Sequence, residues 1–310
     1  MKNLFFFFLL ALGAGVLFPS CKDDDDNPQS IVELAQGNAN LSILVEALQR
    51  ADLLTTLNAD GPFTVLAPTN AAFTALLTSL GVSSLNDIPV AQLRAILLNH
   101  VLAGDVRSGS LATGYVSTLA QGPDNSPISL FADVASGIRF NGSASVTTAD
   151  LAATNGVVHI IDKVLTLPNV VNHALNNPNF STLVAALTRP DLGVDYVSIL
   201  SGNGPFTVFA PTNAAFTALL QELGVSDLNA IPAATLNAVL QYHVVNGANV
   251  RSAQLTNGQQ VTTLQGGSFT VNLGDGAKIT DGQNRISTII AVDVQGSNGV
   301  IHAIDRVILP

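Results

Sequence analysis

The fold is decided by a phrase that the chain contains twice: GPFTVLAPTNAAFTALL at residues 61–77 and GPFTVFAPTNAAFTALL at residues 204–220. The copies differ only where Leu66 of the first becomes Phe209 of the second, and they start 143 residues apart (204 − 61 = 143). A repeat at this spacing divides a chain of 310 residues into two units of ordinary domain size. Because 47% of the residues are hydrophobic and only 11% are charged, each unit can bury a sizeable core.

The phrase predicts a strand, a turn and a helix. Aromatic and β-branched residues alternate with their neighbours from residue 63 to 67, and Pro68 ends the predicted strand. Thr69 or Asn70 then caps a helix whose apolar residues Phe73, Leu76, Leu77 and Leu80 recur at i, i+3, i+4 and i+7, which predicts a single stripe facing the core. Gly81 predicts a left-handed C-terminal cap.

The repeat extends over nearly the whole of each half. The other shared blocks are LSILVEALQR (41–50) with FSTLVAALTR (180–189), LGVSSLNDIP (80–89) with LGVSDLNAIP (223–232), and NGVVHIIDKVLTLP (155–168) with NGVIHAIDRVILP (298–310). Between the helical blocks, short β-rich segments are separated by Gly, Asn and Asp, which is typical of hairpins. The sequence therefore predicts two mixed α+β domains, residues 30–168 and 169–310.

These blocks resemble the signature regions of fasciclin (FAS1) domains. The repeated phrase, the Tyr-His pair at residues 242–243 and the closing NGVIHAIDRVIL at 298–309 stand in the family's order. The resemblance implies an α+β chain of two tandem FAS1-like domains, each with a β-sandwich or wedge-like strand core and flanking helices, used in extracellular adhesion. It assigns structural signature roles to a set of matching residues: Thr69, Asn70, His100, His159, Thr212, Asn213 and His302.

In fasciclin domains the Tyr-His pair is associated with adhesion, so the resemblance makes Tyr242 and His243 the candidate binding residues. The first copy departs from this pattern, because Asn99 precedes His100 there. The second copy is therefore the better candidate. The alternative is that the Tyr242 ring packs in the core with its hydroxyl hydrogen-bonded.

Histidines are the most plausible reactive groups at neutral pH. Four of the five occupy equivalent places in the two copies: His100 with His243, and His159 with His302. They could act as ligands or acid–base groups with Asp162 or Asp305, or each imidazole could bind backbone groups between helix and strand. We favour the structural interpretation, since no third ligand stands at metal-binding spacing. His173, whose counterpart is Leu34, is expected at the surface or between the domains.

Several function classes lack their sequence signals. The chain has no G-x-S-x-G, H-E-x-x-H or phosphate-binding G-x-x-x-x-G-K-[ST] motif, so we predict no enzyme, no catalytic residue, no cofactor and no metal. The glycine-rich GDGAKITDG at 274–282 is expected to be a hairpin, because Asp275 and Asp281 are too few and wrongly spaced for a calcium loop. A net charge of −10 with 12 Lys and Arg makes nucleic acid a poor partner.

Residues 1–20 are predicted to be a secretory signal, because Lys2 precedes an apolar run at 4–18. This run of about 15 residues is shorter than the roughly 20 of a membrane-spanning helix, which is the alternative. Cys21, the only cysteine, follows directly. The segment resembles a bacterial lipoprotein signal, with a lipid on Cys21, although the two residues before Ser20 are larger than the tightest form prefers. An ordinary signal cleaved nearby is the other possibility.

Residues 21–29 carry the acidic run KDDDDNPQ after the cysteine, which predicts a flexible tether. The run resembles the surface-export signal of Bacteroidetes lipoproteins; a plain solvated spacer is the alternative. The sequence thus predicts an outer-membrane lipoprotein exposed at the cell surface, which adheres to an extracellular protein or glycan through its FAS1-like domains. A carbohydrate-capture accessory lipoprotein and a His-dependent extracellular hydrolase are the alternatives, although the chain has no Trp and only three Tyr for stacking on sugar rings.

Overall fold

The computed structural model of the chain describes residues 29–310. The predicted signal peptide, Cys21 and the acidic run up to residue 28 lie outside the described residues. Residues 29–310 form two successive α+β units, as predicted. No helix in this part of the chain is long and apolar enough to cross a bilayer.

The described residues contain ten α-helices: α1 Ile31–Gly37, α2 Ser42–Arg50, α3 Leu54–Leu57, α4 Asn70–Leu80, α5 Val90–Leu98, α6 Val170–Asn176, α7 Ser181–Leu187, α8 Tyr196–Leu200, α9 Asn213–Leu223 and α10 Ala233–Tyr242. Single 3-10 turns lie between elements at Ala39–Leu41, Leu85–Asp87, Ser108–Ser110, Pro123–Asn125, Pro178–Phe180, Pro190–Leu192, Leu228–Ala230 and Ser252–Gln254.

The same residues contain seven strands in each unit. The strands of the first are β1 Phe63–Pro68, β2 Val101–Ala103, β3 Gly114–Gln121, β4 Pro127–Asp133, β5 Arg139–Phe140, β6 Ala144–Ala153 and β7 Gly156–Ile161. The strands of the second are β8 Phe206–Pro211, β9 Val244–Asn246, β10 Gln260–Thr262, β11 Ser268–Asn272, β12 Lys278–Thr280, β13 Ile286–Gly296 and β14 Gly299–Ile304.

The two signature strands of each unit are neighbours. In the first unit β1 runs parallel to β7, from Phe63 opposite Gly156 to Pro68 opposite Ile161, and the seven strands close into a barrel. In the second unit β8 pairs with β14 in the same register, within an open sheet of order β10-β11-β12-β13-β14-β8-β9. Residues of β7, β8 and β14 are buried throughout, which suits parallel strands covered on both faces.

The helix after the signature strand has the predicted caps. The Thr69 hydroxyl accepts a hydrogen bond from the backbone N–H three residues later, and Gly81 adopts a left-handed conformation with φ of 68°. Phe73 and Leu76 are buried, but Leu80 is 43% exposed. The prediction that Leu80 faces the core is therefore wrong, since the buried stripe ends one turn before the helix does.

A glycine is required where the signature strands meet. A Cβ on Gly156 would lie 1.9 Å from the carbonyl oxygen of Phe63, and one on Gly299 would lie 2.2 Å from that of Phe206. Both glycines have φ near +150°, a region that side-chain-bearing residues rarely adopt. The Asn-Gly-Val sequence in both copies follows from this close approach.

Candidate functional site

The signature threonine caps its own helix, and the signature asparagine ties that helix to the start of a helix that precedes the signature strand. The Asn70 side chain accepts a hydrogen bond from the Ile43 N–H at 2.9 Å and donates to Ala39 O and Ser42 Oγ. Asn213 makes the corresponding bonds in the second unit, beside Thr212 as N-cap. Both amides are thus committed to internal structure.

His100 and His243 join the end of a helix to the last segment of their unit. Nδ1 of His100 donates to Ile96 O at 2.7 Å and Nε2 accepts from the Leu165 N–H at 2.8 Å; His243 does the same with Val239 O and the Ile308 N–H. Burial lowers the pKa of each imidazole to about 4, so both are neutral at pH 7. With both nitrogens occupied, neither has a site left for a ligand.

Each unit has a serine, an aspartate and a histidine close together, but their hydrogen bonds are not those of a catalytic triad. Ser108 donates its hydroxyl to Asp150, while His159 accepts the Asp150 backbone N–H at 3.1 Å and binds Val106 O through Nε2. A nucleophilic serine needs its proton next to the histidine. The second unit repeats two of these bonds, since Ser252 donates to Asp293 and His302 binds Val250 O, but Nδ1 of His302 is buried without a hydrogen-bond partner within residues 29–310.

Residues 29–310 contain no group of three or more His, Cys, Asp or Glu that could hold a metal ion. The Asp281 carboxylate, considered above for calcium, is buried and accepts hydrogen bonds from the backbone of Gln283, Arg285 and Leu309 and from the Arg285 side chain. It closes the turn between β12 and β13.

The candidate adhesive pair lies in the core. Tyr242 is 1% exposed and His243 3% exposed. The Tyr242 hydroxyl donates to Ser268 O at 2.7 Å and its ring packs edge-on against Phe269. The Tyr242 ring is packed with its hydroxyl hydrogen-bonded, as in the alternative given for it above.

Asn99 takes the place of the tyrosine in the first unit. Its amide nitrogen is 3.2 Å from both Leu165 O and Thr166 O, and its oxygen accepts from the Thr118 hydroxyl. Asn99 and Tyr242 therefore have the same structural role with different chemistry, because each ties the end of a helix to other segments of its own unit.

The structure brings the two units together along a seam centred on Tyr115. Its ring packs edge-on against Phe131 of its own unit and His173 of the other, with centroids 5.2 and 5.6 Å away. The Tyr115 hydroxyl accepts a hydrogen bond from Asn177, and its pKa is raised to about 12 by burial. His173 is completely buried here, with Nε2 donating to Gln295 O at 3.1 Å. Of its two expected places, surface or interdomain, the structure shows the second.

Polar bonds extend the seam across β4 and β13. The Gln295 N–H donates to the Ser129 hydroxyl at 3.1 Å, and Asn249 donates to Asp124 at 3.2 Å. The Gln295 side chain is itself buried and bonded to Asn249. These contacts fix one unit against the other.

Of the seam residues, only His173 was expected from the sequence to lie at the surface or between the domains; Tyr115 was missed, although the two copies differ at its position. Strand register places Tyr115 opposite Phe131 in the first unit, and Gln260 opposite Thr270 at the corresponding place in the second. This face of the sheet carries aromatic residues in the first unit, where the other unit packs against it, and polar residues in the second unit. His173 in place of Leu34 is the matching change on the other side of the seam.

A polar cleft opens beside the seam. It has a volume of about 200 Å³ and is lined by Asn141 and Ser143 of the first unit, by Thr166 of the connection, and by Asn172 and Asn176 of α6. The second unit also has a narrow apolar crevice of about 30 Å³ under α6, α7 and α8. Since one water needs about 10–15 Å³ by this measure, the crevice has room for about two waters.

Comparison with known proteins places both units in one family. The sequence matches the Fasciclin domain at residues 39–168 and again at 178–310. Protein sll1483 of Synechocystis sp. is 40% identical over 143 residues, which cover 46% of this chain and 76% of that protein. Transforming growth factor-beta-induced protein ig-h3 of Sus scrofa is 31% identical over 255 residues, which cover 81% of this chain and 35% of that protein.

A solved structure with two tandem domains shares the fold of this chain. It is that of a FAS1 domain pair from the insect cell adhesion molecule Fasciclin I, with a TM-score of 0.51 and 20% identity, covering 88% of this chain and 98% of that one. At this identity the likeness concerns the fold alone.

Proposed function

Since the chain belongs to the fasciclin domain family and carries two tandem FAS1 domains, we propose that it is a lipid-anchored surface protein that binds an extracellular protein or matrix. The observation that carries the proposal is the domain pair itself. Its fold resembles the FAS1 pair of an insect cell adhesion molecule, and its two domains are fixed by the Tyr115 seam.

The chemistry of the described residues supports binding over catalysis. Most side chains that could serve as acid, base or nucleophile are hydrogen-bonded internally: His100, His159 and His243 through both nitrogens, and Ser108 and Ser252 to carboxylates. His173 and His302 are bonded through Nε2, and the Nδ1 atom of each is buried without a partner among the described residues. For this reason the hydrolase alternative receives no support from the geometry. Two weak binding surfaces on one anchored chain would raise avidity without any strong single contact.

Surface anchoring rests on the first 28 residues. Two or more acyl chains at Cys21 would hold the protein stably on its membrane, and the acidic run after it would space the domain pair from that membrane. A Cys21→Ser variant tests this part alone: we expect it to leave the membrane fraction, and its retention there would contradict lipid anchoring.

Adhesion is tested separately with beads. Beads coated with residues 22–310 are mixed with surface extract and whole cells of the source organism, and beads coated with an unrelated acidic protein serve as control. We expect saturable binding that the free chain competes away. Equal binding to both bead types would refute the adhesive function.

Carbohydrate capture is the second candidate, because the cleft beside the seam is lined by neutral polar side chains. The scarcity of aromatic residues still argues against stacking on sugar rings.

A further inference from the structure

The polar cleft is built from three elements that only the folded domain pair brings together. Asn141 and Ser143 lie at the turn that leads into β6, Thr166 lies in the connection, and Asn172 and Asn176 lie on α6 of the second domain. Domain interfaces are preferred places for ligand sites. The volume of about 200 Å³ is more than ten times what a single water requires.

Three carboxamides leave their NH₂ groups free at this cleft. The Asn141 oxygen accepts from the Phe131 N–H at 2.9 Å, and the Asn172 oxygen accepts from the Asn169 N–H at 3.0 Å, which fixes both amide planes. Neither NH₂ group, and no side-chain atom of Asn176, hydrogen-bonds to any other described residue. The cleft therefore presents two oriented donors, those of Asn141 and Asn172, and beside them the Asn176 amide, which no hydrogen bond within the described chain holds.

The lining selects against charged ligands. No Lys, Arg, Asp, Glu or His lines the cleft, and the chain as a whole carries a net charge of −10. A phosphate or carboxylate would lack the cation that such groups are usually paired with. A divalent cation would lack carboxylate ligands.

The remaining chemistry is that of a neutral hydroxylated molecule. Amides and hydroxyls such as those of Ser143 and Thr166 can both donate to and accept from hydroxyl groups. Val164, Leu165 and Pro168 supply an apolar part of the wall, against which C–H groups can pack. We propose that the cleft between the two FAS1 domains binds a neutral saccharide unit, such as the terminal residue of a glycan.

The seam between the domains preorganises the cleft. Tyr115, His173 and Gln295 hold the domains in one arrangement, so little ordering is required when a ligand enters. Saccharide binding in the cleft is independent of adhesion to a protein partner, because the cleft can hold a sugar whether or not another surface of the domain pair holds a protein.

The test is an NMR titration of ¹⁵N-labelled residues 22–310 with D-galactose, D-mannose, N-acetyl-D-glucosamine and, as a contrast, inorganic phosphate. We expect at least one saccharide to shift the side-chain NH₂ signals of Asn141, Asn172 and Asn176 saturably. Phosphate is expected to shift none of them. Shifts caused by phosphate alone, or by no saccharide, would overturn the proposal.

A double variant, Ser143→Ile with Asn176→Leu, locates the site. Ser143 is an exposed turn residue whose counterpart 143 residues later is Ile286, and Asn176 makes no internal hydrogen bond, so the fold should persist; unchanged backbone spectra verify this. Loss of two neutral hydrogen bonds predicts about 30-fold weaker saccharide binding. The matched control is Asn203→Leu, at an exposed asparagine away from the cleft, which should bind normally. Equal affinity of the double variant and the control would refute the site.

Discussion

Mild acid should destabilise this protein through its buried histidines. His100, His173 and His243 are fully buried, and burial lowers the pKa of each to about 4 from the ordinary value of 6.5. Below pH 6.5 the unfolded chain therefore binds protons that the native chain does not. Stability is complete above pH 6.5 and is lost progressively as the pH falls from 6.5 towards 4.

The size of the effect follows from these two pKa values. At pH 5 each histidine lowers the free energy of unfolding by about 2 kcal/mol, so the three together lower it by about 6 kcal/mol. This is comparable with the whole stability of many domains, about 5–15 kcal/mol. His302, whose pKa burial also lowers, acts in the same direction.

Carboxylates are not expected to obscure the result. Asp105 and Asp150 have pKa values lowered from 3.8, by hydrogen bonds from Arg107 and Ser108 respectively, so the stability they contribute is lost only at lower pH. The window between pH 6.5 and 5 therefore reports mainly on histidine.

The assay combines urea unfolding at pH 8, 7, 6 and 5, followed by circular dichroism, with NMR titration of the imidazole Cε1–H signals. A His173→Leu variant, carrying the residue found at the equivalent Leu34 position, should lose about one third of the pH dependence. Stability that stays constant from pH 8 to 5, or signals of these three histidines that titrate near pH 6.5, would refute the reasoning.

Three further predictions test the anchors and the seam. Asn298→Ala removes three hydrogen bonds and leaves the buried Val170 N–H unpaired. The free energy of unfolding, measured in urea, should therefore fall by about 3 kcal/mol, whereas the control Asn203→Ala should lower it by less than about 0.5 kcal/mol. Equal losses of stability in the two variants would contradict the anchor role of Asn298. Gly156→Ala places a Cβ against the carbonyl of the paired strand, so soluble folded protein should be lost, whereas Gly37→Ala, with open space around it, should fold normally. Tyr115→Ala should loosen the domain pair, seen as separate rotational diffusion of the two domains in NMR relaxation; a pair that still tumbles as one body would show that the seam does not depend on this ring.

The sequence determined the features that depend on local chemistry or on the repeat. Two units, the strand and helix of the repeated phrase, the Thr69 cap and the Gly81 cap could all be predicted, because the residues that decide them are close in the chain. The fasciclin resemblance followed from the order of the blocks. Strand pairing between residues 63 and 156 was beyond local reasoning, yet the glycine it requires is visible in both copies.

Only the tertiary structure decided which side chains remain available to a partner. Tyr242 and His243 follow the family motif but are buried, and the contacts that bury them come from residues 26 to 65 positions away. Asn177 reaches Tyr115 across 62 residues, and Gln295 reaches Ser129 across 166. Each such contact exists because separate elements pack their apolar faces together, and that packing leaves no periodic trace in any one segment of the chain. The cleft of Asn141 and Asn172 is the same kind of product, since its two walls belong to different domains.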